Sequence, residues 1–291
     1  MNTSSVKANE KSALFSLHAR RALAYIVLTV LCFLCLFFFY VLAMNATHSH
    51  YEIQRGFNLL PGRDFMKNLS ATLADSSLPV LKGIRNSLLL SALSALLSIY
   101  FSALTAYGIY AYDFRLKKLA FTFIILIMSM PTQISALGFV RLIGRMGGTN
   151  HLWPLFLPAI ASPTVFYFMI QYMKSSLPME IVEAARIDGC SEFGTFNRVV
   201  LPLLKPAMAV QAIFSFVASW NNYFTPALIL DSKNNPTLPI LIATLRSKDV
   251  ASLDMGSVYM LIAVAILPVI LVYLLLSKFI VAGVTLGSVK G

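Results

Sequence analysis

The chain has 291 residues, 58% of them apolar and only 12% charged, with 23 basic against 12 acidic side chains and a net charge of +11. A charged fraction about half the roughly 25% of soluble domains excludes an ordinary soluble protein. No basic segment is interleaved with aromatics, so the positive charge points to membrane lipid and cytoplasmic loops rather than to nucleic acid.

Apolar runs of about 20 residues recur, each long enough to cross a hydrocarbon core of roughly 30 Å as a helix. Residues 1–21 form a polar, cytoplasmic N-terminal segment ending in Arg20-Arg21. The first span, residues 22–44, measures about 34 Å as a helix, too long for a signal-peptide core, and is expected to be retained. Cys32 and Cys35 within it have the spacing of redox and zinc motifs but lie among Phe33, Leu34 and Leu36, so packing is their expected role. Residues 45–83 form an extracytoplasmic loop. His48 and His50 there have no cysteine or acidic companions and are expected to be solvated, with no metal site anywhere in the chain.

The second span, about residues 85–112, carries Ser91, Ser94, Ser98, Ser102 and Thr105 at three- and four-residue steps on one face. Such a stripe either lets helices approach closely or lines a polar passage. A basic turn with Arg115, Lys117 and Lys118 follows. The third span, about residues 119–142, contains Met130-Pro131, where a proline should kink the helix. The fourth, about residues 152–173, includes Pro158 and Pro163. The fifth runs over about residues 206–230, an outer loop over residues 231–256, and the sixth span over about residues 257–280. Six spans with both termini inside place 13 of the 23 basic residues on the cytoplasmic side, a modest bias. The last residues, 282–291, read as a small, apolar cytoplasmic tail.

Between the fourth and fifth spans, residues 174–205 break the apolar pattern. Four acidic residues (Glu180, Glu183, Asp188, Glu192) and four basic ones (Lys174, Arg186, Arg198, Lys205) belong in water. Pro178 suits a helix start, residues 179–188 form helix well, Gly189 permits a left-handed turn and Ser191 can cap a second short helix. The expectation is a helix-turn-helix finger protruding into the cytoplasm. The bare side chains of Ala184, Ala185 and Gly189 would let another protein approach its backbone, and Glu183 offers a carboxylate to a basic partner.

The central parts of the spans contain no Asp, Glu, Lys or Arg. Proton-coupled carriers need such groups as relays within the membrane, so active transport by this chain must draw its energy from outside the spans. A secondary or facilitative carrier of a small polar solute is the alternative, although the internal repeats common in such carriers are not seen. A membrane enzyme would need a nucleophile, metal ligands or paired carboxylates, and His18, His48, His50 and His151 are scattered.

The spacing in the finger is specific. Glu183-Ala184-Ala185, three residues, Gly189, nine residues, Val199, one residue and Leu201-Pro202 resembles the signature loop of the transmembrane subunits of ABC importers; Val199 stands where isoleucine is more usual. Six spans, the finger after the fourth, Trp220-Asn221 late in the fifth and the glycine-containing end at Val289-Lys290-Gly291 extend the resemblance over residues 84–281 and the tail, to a maltose-transporter-type permease for carbohydrate uptake. The resemblance implies an all-α polytopic fold of the type I importer kind in a bacterial cell membrane. It implies a homologous permease partner, two ATP-binding subunits and an extracytoplasmic solute-binding protein. Glu183, Ala184, Ala185, Asp188, Gly189, Leu201 and Pro202 would then couple to an ATPase subunit. No phosphate-binding loop occurs in the chain, so no cofactor is expected on it, and ATP and Mg would sit on the partner subunits. Gln211, Trp220, Asn221, Asn222 and Tyr223 are the candidate substrate path: amides and rings that either meet a sugar or join helices and mark the membrane interface.

Overall fold

A computed structural model of the chain describes residues 3–75, 78–247 and 253–287. The described residues are helical and contain no strand. In chain order the helices are α1 Thr3–Asn45, α2 His50–Gln54, α3 Phe65–Ala74, α4 Val80–Ala111, α5 Lys117–Met128, α6 Thr132–Arg145, α7 Trp153–Phe156, α8 Pro163–Ser176, α9 Met179–Ile187, α10 Glu192–Thr195, α11 Leu201–Leu203, α12 Lys205–Trp220, α13 Phe224–Ile229, α14 Leu238–Arg246 and α15 Met255–Gly287.

Four stretches are long and apolar enough to cross a membrane: Arg20–Asn45, Val80–Ala111, Trp153–Ser176 and Met255–Lys278. Two further pairs pass the same test only when joined. Lys117–Met128 and Gln133–Arg145 meet at 100°, and Glu192–Leu203 meets Lys205–Trp220 at 80°. The third span is thus broken, not merely kinked, at Met130-Pro131: Pro131 has extended backbone (ψ 124°), an angle no helix contains. The fifth expected span is also shorter than the apolar run implied. α12 ends at Trp220 after 16 residues, about 24 Å, and the chain turns at residues 221–223 before α13. The sixth helix continues beyond residue 280 to Gly287.

The chain divides into two compact units, Met1–Ala71 with Asp254–Ala263 and Thr72–Leu253 with Val264–Gly291. In the first, the connection after α1 is a folded knot of polar contacts. Asn68 donates its amide to the carbonyls of Ala46 (3.0 Å) and His48 (2.9 Å). Gly62 donates its N–H to the Thr47 hydroxyl (2.7 Å), and a Cβ at Gly62 would meet the Thr47 carbonyl at 2.4 Å, which explains the glycine. His48 is buried and bonded to the Met44 carbonyl (2.8 Å), while His50 accepts from the Met255 N–H (3.1 Å). These histidines are structural rather than solvated, because each imidazole closes a helix end. No group of His, Cys, Asp or Glu suited to a metal occurs among the described residues. Cys32 and Cys35 are exposed on α1, contrary to a packing role within the chain, since their neighbours Phe33, Leu34 and Leu36 are exposed as well.

In the second unit α4 is the central post, packed by α8 and α12. The serine stripe does what small hydroxyl residues allow: Ser91, Ser94, Ser98 and Ser102 are buried, Ser98 reaches Ser215 of α12 at 3.2 Å, and Ser102 donates to the Ser162 carbonyl at 3.2 Å. Thr105 falls outside the packed face, exposed and bonded to its own helix at Phe101. The expected outer loop at residues 231–256 contains an unforeseen helix, α14. Asn86 of α4 donates to the Asn235 side chain and the Pro236 carbonyl (both 2.9 Å), the Ser87 hydroxyl receives the Leu238 N–H, and Leu238, Ile240 and Leu241 are buried.

Candidate functional site

The finger is built from local rules. α9 starts after Pro178, whose fixed φ suits a helix entrance, and ends in a left-handed turn at Gly189 (φ 78°). The Cys190 N–H returns to the Ala185 carbonyl and the Gly189 N–H to the Arg186 carbonyl, both at 3.0 Å, the paired bonds that close a helix C-terminus when a residue can adopt positive φ. Ser191 then opens α10 with its hydroxyl accepting the Gly194 N–H at 3.2 Å. Residues 196–200 widen into a single π-helical turn that leads into α11.

Sequence reasoning missed what holds the finger. Phe196 is wholly buried, with its ring 5.8 Å from Tyr100 and 5.5 Å from Tyr107 of α4. Tyr100 donates to the Asn197 side-chain oxygen (3.2 Å) and Tyr110 to the Leu177 carbonyl (2.8 Å). At the end of α4 the Tyr112 hydroxyl donates to Glu192, whose carboxylate also takes two bonds from Arg186 (3.0 and 3.3 Å), while the Arg186 guanidinium lies 5.1 Å from the Tyr112 ring centre. The Tyr112 hydroxyl, followed by Arg186, holds the Glu192 carboxyl below its ordinary range, and the pairing with Glu192 raises Arg186. The available signal was the placing of Tyr100, Tyr107 and Tyr110 seven and three residues apart, one helical face at one end of a span.

The expected coupling residues separate by face. Glu183, Ala184, Asp188, Gly189 and Pro202 are exposed, as is Ile187 at 86% of its surface. Ala185 is buried, on the inward face with Val182, and Leu201 is partly buried. Ala185 therefore packs within its own chain, because a position three residues after Val182 falls on the same side of α9.

The expected substrate path also separates. Trp220 is 3% exposed, stacks on Phe216 at 5.7 Å and donates its indole N–H to the Ala265 carbonyl of α15 at 3.1 Å, so it joins helices. Asn221 and Tyr223 are exposed on the surface of the chain. Asn222, exposed like them, lines an open cavity of about 470 Å³, together with Ser135, Phe139, Thr164, Ser219 and Thr225, where the broken third span faces the turn after α12. Gln211, 4% exposed, opens instead on a second cavity of about 340 Å³ deeper along α12. No charged residue lines either cavity.

The chain is similar to known proteins in sequence and in fold. Residues 92–285 match the model of the family described as binding-protein-dependent transport system inner membrane component. The chain is 37% identical over 209 residues to the arabinooligosaccharides transport system permease protein AraQ of Bacillus subtilis (strain 168), covering 71% of this chain and 72% of that protein. It is 28% identical over 266 residues to the lactose transport system permease protein LacG of Rhizobium radiobacter, covering 91% and 95%. It is also 28% identical over 276 residues to the trehalose/maltose transport system permease protein MalG of Thermococcus litoralis, covering 94% and 98%. The fold matches a chain from the crystal structure of a bacterial ABC transporter involved in the import of the acidic polysaccharide alginate, with a TM-score of 0.76 at 19% identity over 90% of this chain and 97% of that one. These matches make the chain a multi-pass membrane transport subunit rather than an enzyme. With two thirds of its length under the family model, the chain belongs to the inner membrane components of binding-protein-dependent transport systems.

Proposed function

We propose that the chain is one of two homologous permease subunits of an ATP-driven importer for a sugar or oligosaccharide, with six spans and both termini in the cytoplasm. Two ATPase subunits bind ATP and Mg, and an extracytoplasmic binding protein delivers the solute. The observation that carries the reading is the finger: a self-closed pair of short helices clamped by tyrosines to α4, presenting Glu183, Ala184, Ile187, Asp188 and Gly189 outward. A projection tied in this way moves as a body with the helix beneath it. When ATP draws the ATPase subunits together, force on the finger passes through Phe196 and the tyrosines into α4, and from α4 to the packed α8 and α12. Two arrangements of these spans, open to one side or the other, then exchange under the bias of nucleotide. The exposed Ile187 supplies apolar contact area in the ATPase cleft, and the broken third and fifth spans supply the non-helical backbone that membrane transport paths tolerate only around a cavity.

The test is co-purification. Affinity-tagged chain extracted from its native membrane should bring down an ATPase subunit, and solute with binding protein should stimulate hydrolysis by the complex. Native Cys190, exposed beside Gly189, should react with an impermeant maleimide in inverted vesicles and not in intact cells, and bound ATPase should shield it. Recovery of a transport-competent chain with no ATPase would make it a carrier instead.

A further inference from the structure

We propose that the cleft of about 480 Å³ in the connection between α1 and α3 holds the headgroup of a phospholipid bearing a primary amine, of the phosphatidylethanolamine type, at the membrane boundary where α1 ends. The proposal goes beyond the importer reading, needs none of its partners, and concerns residues of the first compact unit alone.

The connection doubles back along the span before it leaves it. The Phe57 ring lies 5.7 Å from Phe37, and the Tyr40 hydroxyl donates to the Leu59 carbonyl. Phe37 and Tyr40 stand eight and five residues before the end of α1 at Asn45, about 12 and 8 Å along the helix. Tyrosine is enriched at such a level, where hydrocarbon gives way to water. Beside it Phe57, Leu59 and Leu60 are 55%, 63% and 77% exposed. Large apolar side chains left open next to an apolar span belong against acyl chains. The chain then climbs: the Gly62 N–H donates to the Thr47 hydroxyl (2.7 Å) and the Asp64 N–H to the Thr47 carbonyl (2.9 Å), past the end of α1. Phe57, Leu59 and Leu60 therefore line the span side of the cleft, and Arg63 and Asp64 the water side.

The charges on the water side are uncommitted. Arg63 and Asp64 make no side-chain hydrogen bond or ion pair among the described residues. Glu52, on the same cleft, accepts the Ser49 N–H (2.9 Å) and hydroxyl (3.0 Å) on one oxygen and leaves the other open. Those bonds, the N–H first, hold its carboxyl below the ordinary range, so it is ionised at neutrality. Asn58 ties the two walls together by donating to the Glu52 carbonyl at 3.3 Å, so the cleft is formed in advance of any ligand.

Two carboxylates beside one guanidinium suit a zwitterion. A primary ammonium offers three N–H donors to Glu52 and Asp64, and a phosphodiester matches the planar fork of Arg63. A choline headgroup has no N–H to give, and one phenylalanine makes no aromatic cage for it. A glycerol headgroup brings the phosphate without a cation and leaves both carboxylates unanswered. A bare divalent cation would meet the charge of Arg63. With the headgroup among the charges, the acyl chains begin at Phe57, Leu59 and Leu60.

The experiment uses the full chain, with the subunits that co-purify with it, in nanodiscs of phosphatidylcholine. The probes are photoactivatable phosphatidylethanolamine, phosphatidylcholine and phosphatidylglycerol, each with a diazirine near the glycerol ester. The ethanolamine lipid should label a peptide within residues 48–66 about fivefold more than the other two, the upper end of what an exposed ion pair contributes. Arg63→Gln and Asp64→Asn should each lower that labelling toward the choline level, with Tm unchanged because neither side chain has a partner within the chain. Free phosphoethanolamine at the same concentration should not compete. Equal labelling by the three lipids, or wild-type labelling of both variants, would overturn the proposal. Competition by phosphoethanolamine would overturn it too, making the cleft a site for a soluble zwitterion. An unlabelled peptide, with a co-purifying subunit cross-linked to the neighbouring Lys67, would make the cleft a protein contact instead. None of these outcomes touches the importer reading.

Discussion

The finger and α12 are neighbouring segments in which a membrane helix is interrupted, yet they treat their polar groups in opposite ways. In the finger the free N–H groups at 189 and 190 return to α9, Ser191 caps α10, and Arg186, Glu192 and Tyr112 satisfy one another, while the buried hydroxyls of Thr195 and of Tyr107 beneath it have no partner among the described residues. Along α12 and the start of α8, Gln211, Ser162 and Thr164 remain open toward cavities. A part that passes on motion gains from closing its hydrogen bonds internally, because each closed bond removes a way of yielding. A part that a solute must pass gains from leaving them open. The substitutions below break or sharpen that contrast, from the largest effect to the smallest.

Ala185→Leu should be the most damaging. Ala185 shares the buried face of α9 with Val182, and extra methylenes in a closed site cost about 1–3 kcal/mol, so the variant should lose Tm as well as ATPase binding. Ala184→Leu, one residue away on the exposed face, should keep its Tm and lose ATPase binding alone. Thermal denaturation beside a pull-down separates the two, and equal Tm values would show that the finger is not packed as described.

Gly189→Val comes next. Nothing lies within 4 Å of a Cβ built there, so the cost inside the chain is the positive φ, about 1–2 kcal/mol, with no clash. The turn should open and ATPase association weaken about tenfold, while Gly189→Asn, tolerant of the left-handed region, should stay near wild type. Wild-type binding by the valine variant would mean that the turn need not be rigid.

On α12 the ordering should reverse. Trp220→Phe removes the bond to Ala265 and should lower stability by about 0.5–1.5 kcal/mol without changing KM. Asn222→Ala, on the wall of the larger cavity, should change KM, with only a small loss of Tm for the long bond (3.4 Å) its side-chain oxygen accepts from the Thr225 N–H. Uptake kinetics and Tm on both variants decide whether the two asparagine and tryptophan neighbours differ as the structure has them.

The smallest effect is acid sensitivity. Because Tyr112 and Arg186 hold the Glu192 carboxyl below its unfolded value, its contribution is complete above the ordinary carboxylate range and is lost as pH falls through the lowered value. The finger should therefore be unaffected near neutrality and loosen in acid, with Glu192→Gln flattening that dependence in a Tm series. The pair is exposed and screened, so the slope should be shallow.

The sequence by itself determined the class, the number of apolar runs and the finger, since these depend on composition and on residues adjacent in the chain. Hydrophobic length reports a span wherever it occurs, and Pro178, Gly189 and Ser191 each act through their own backbone. The chemistry along α12 was only half legible. Gln211, Trp220, Asn221, Asn222 and Tyr223 look alike as polar or aromatic groups in an apolar run. Which of them faces Ala265 and which faces a cavity depends on α8, α4 and α15 as neighbours, and those contacts come from residues far away along the chain. The breaks at Pro131 and after Trp220, the tyrosine clamp and the burial of Ala185 were settled in the same way. Local propensity sets where a helix can bend, but the angle and the partner follow from which surfaces pack together.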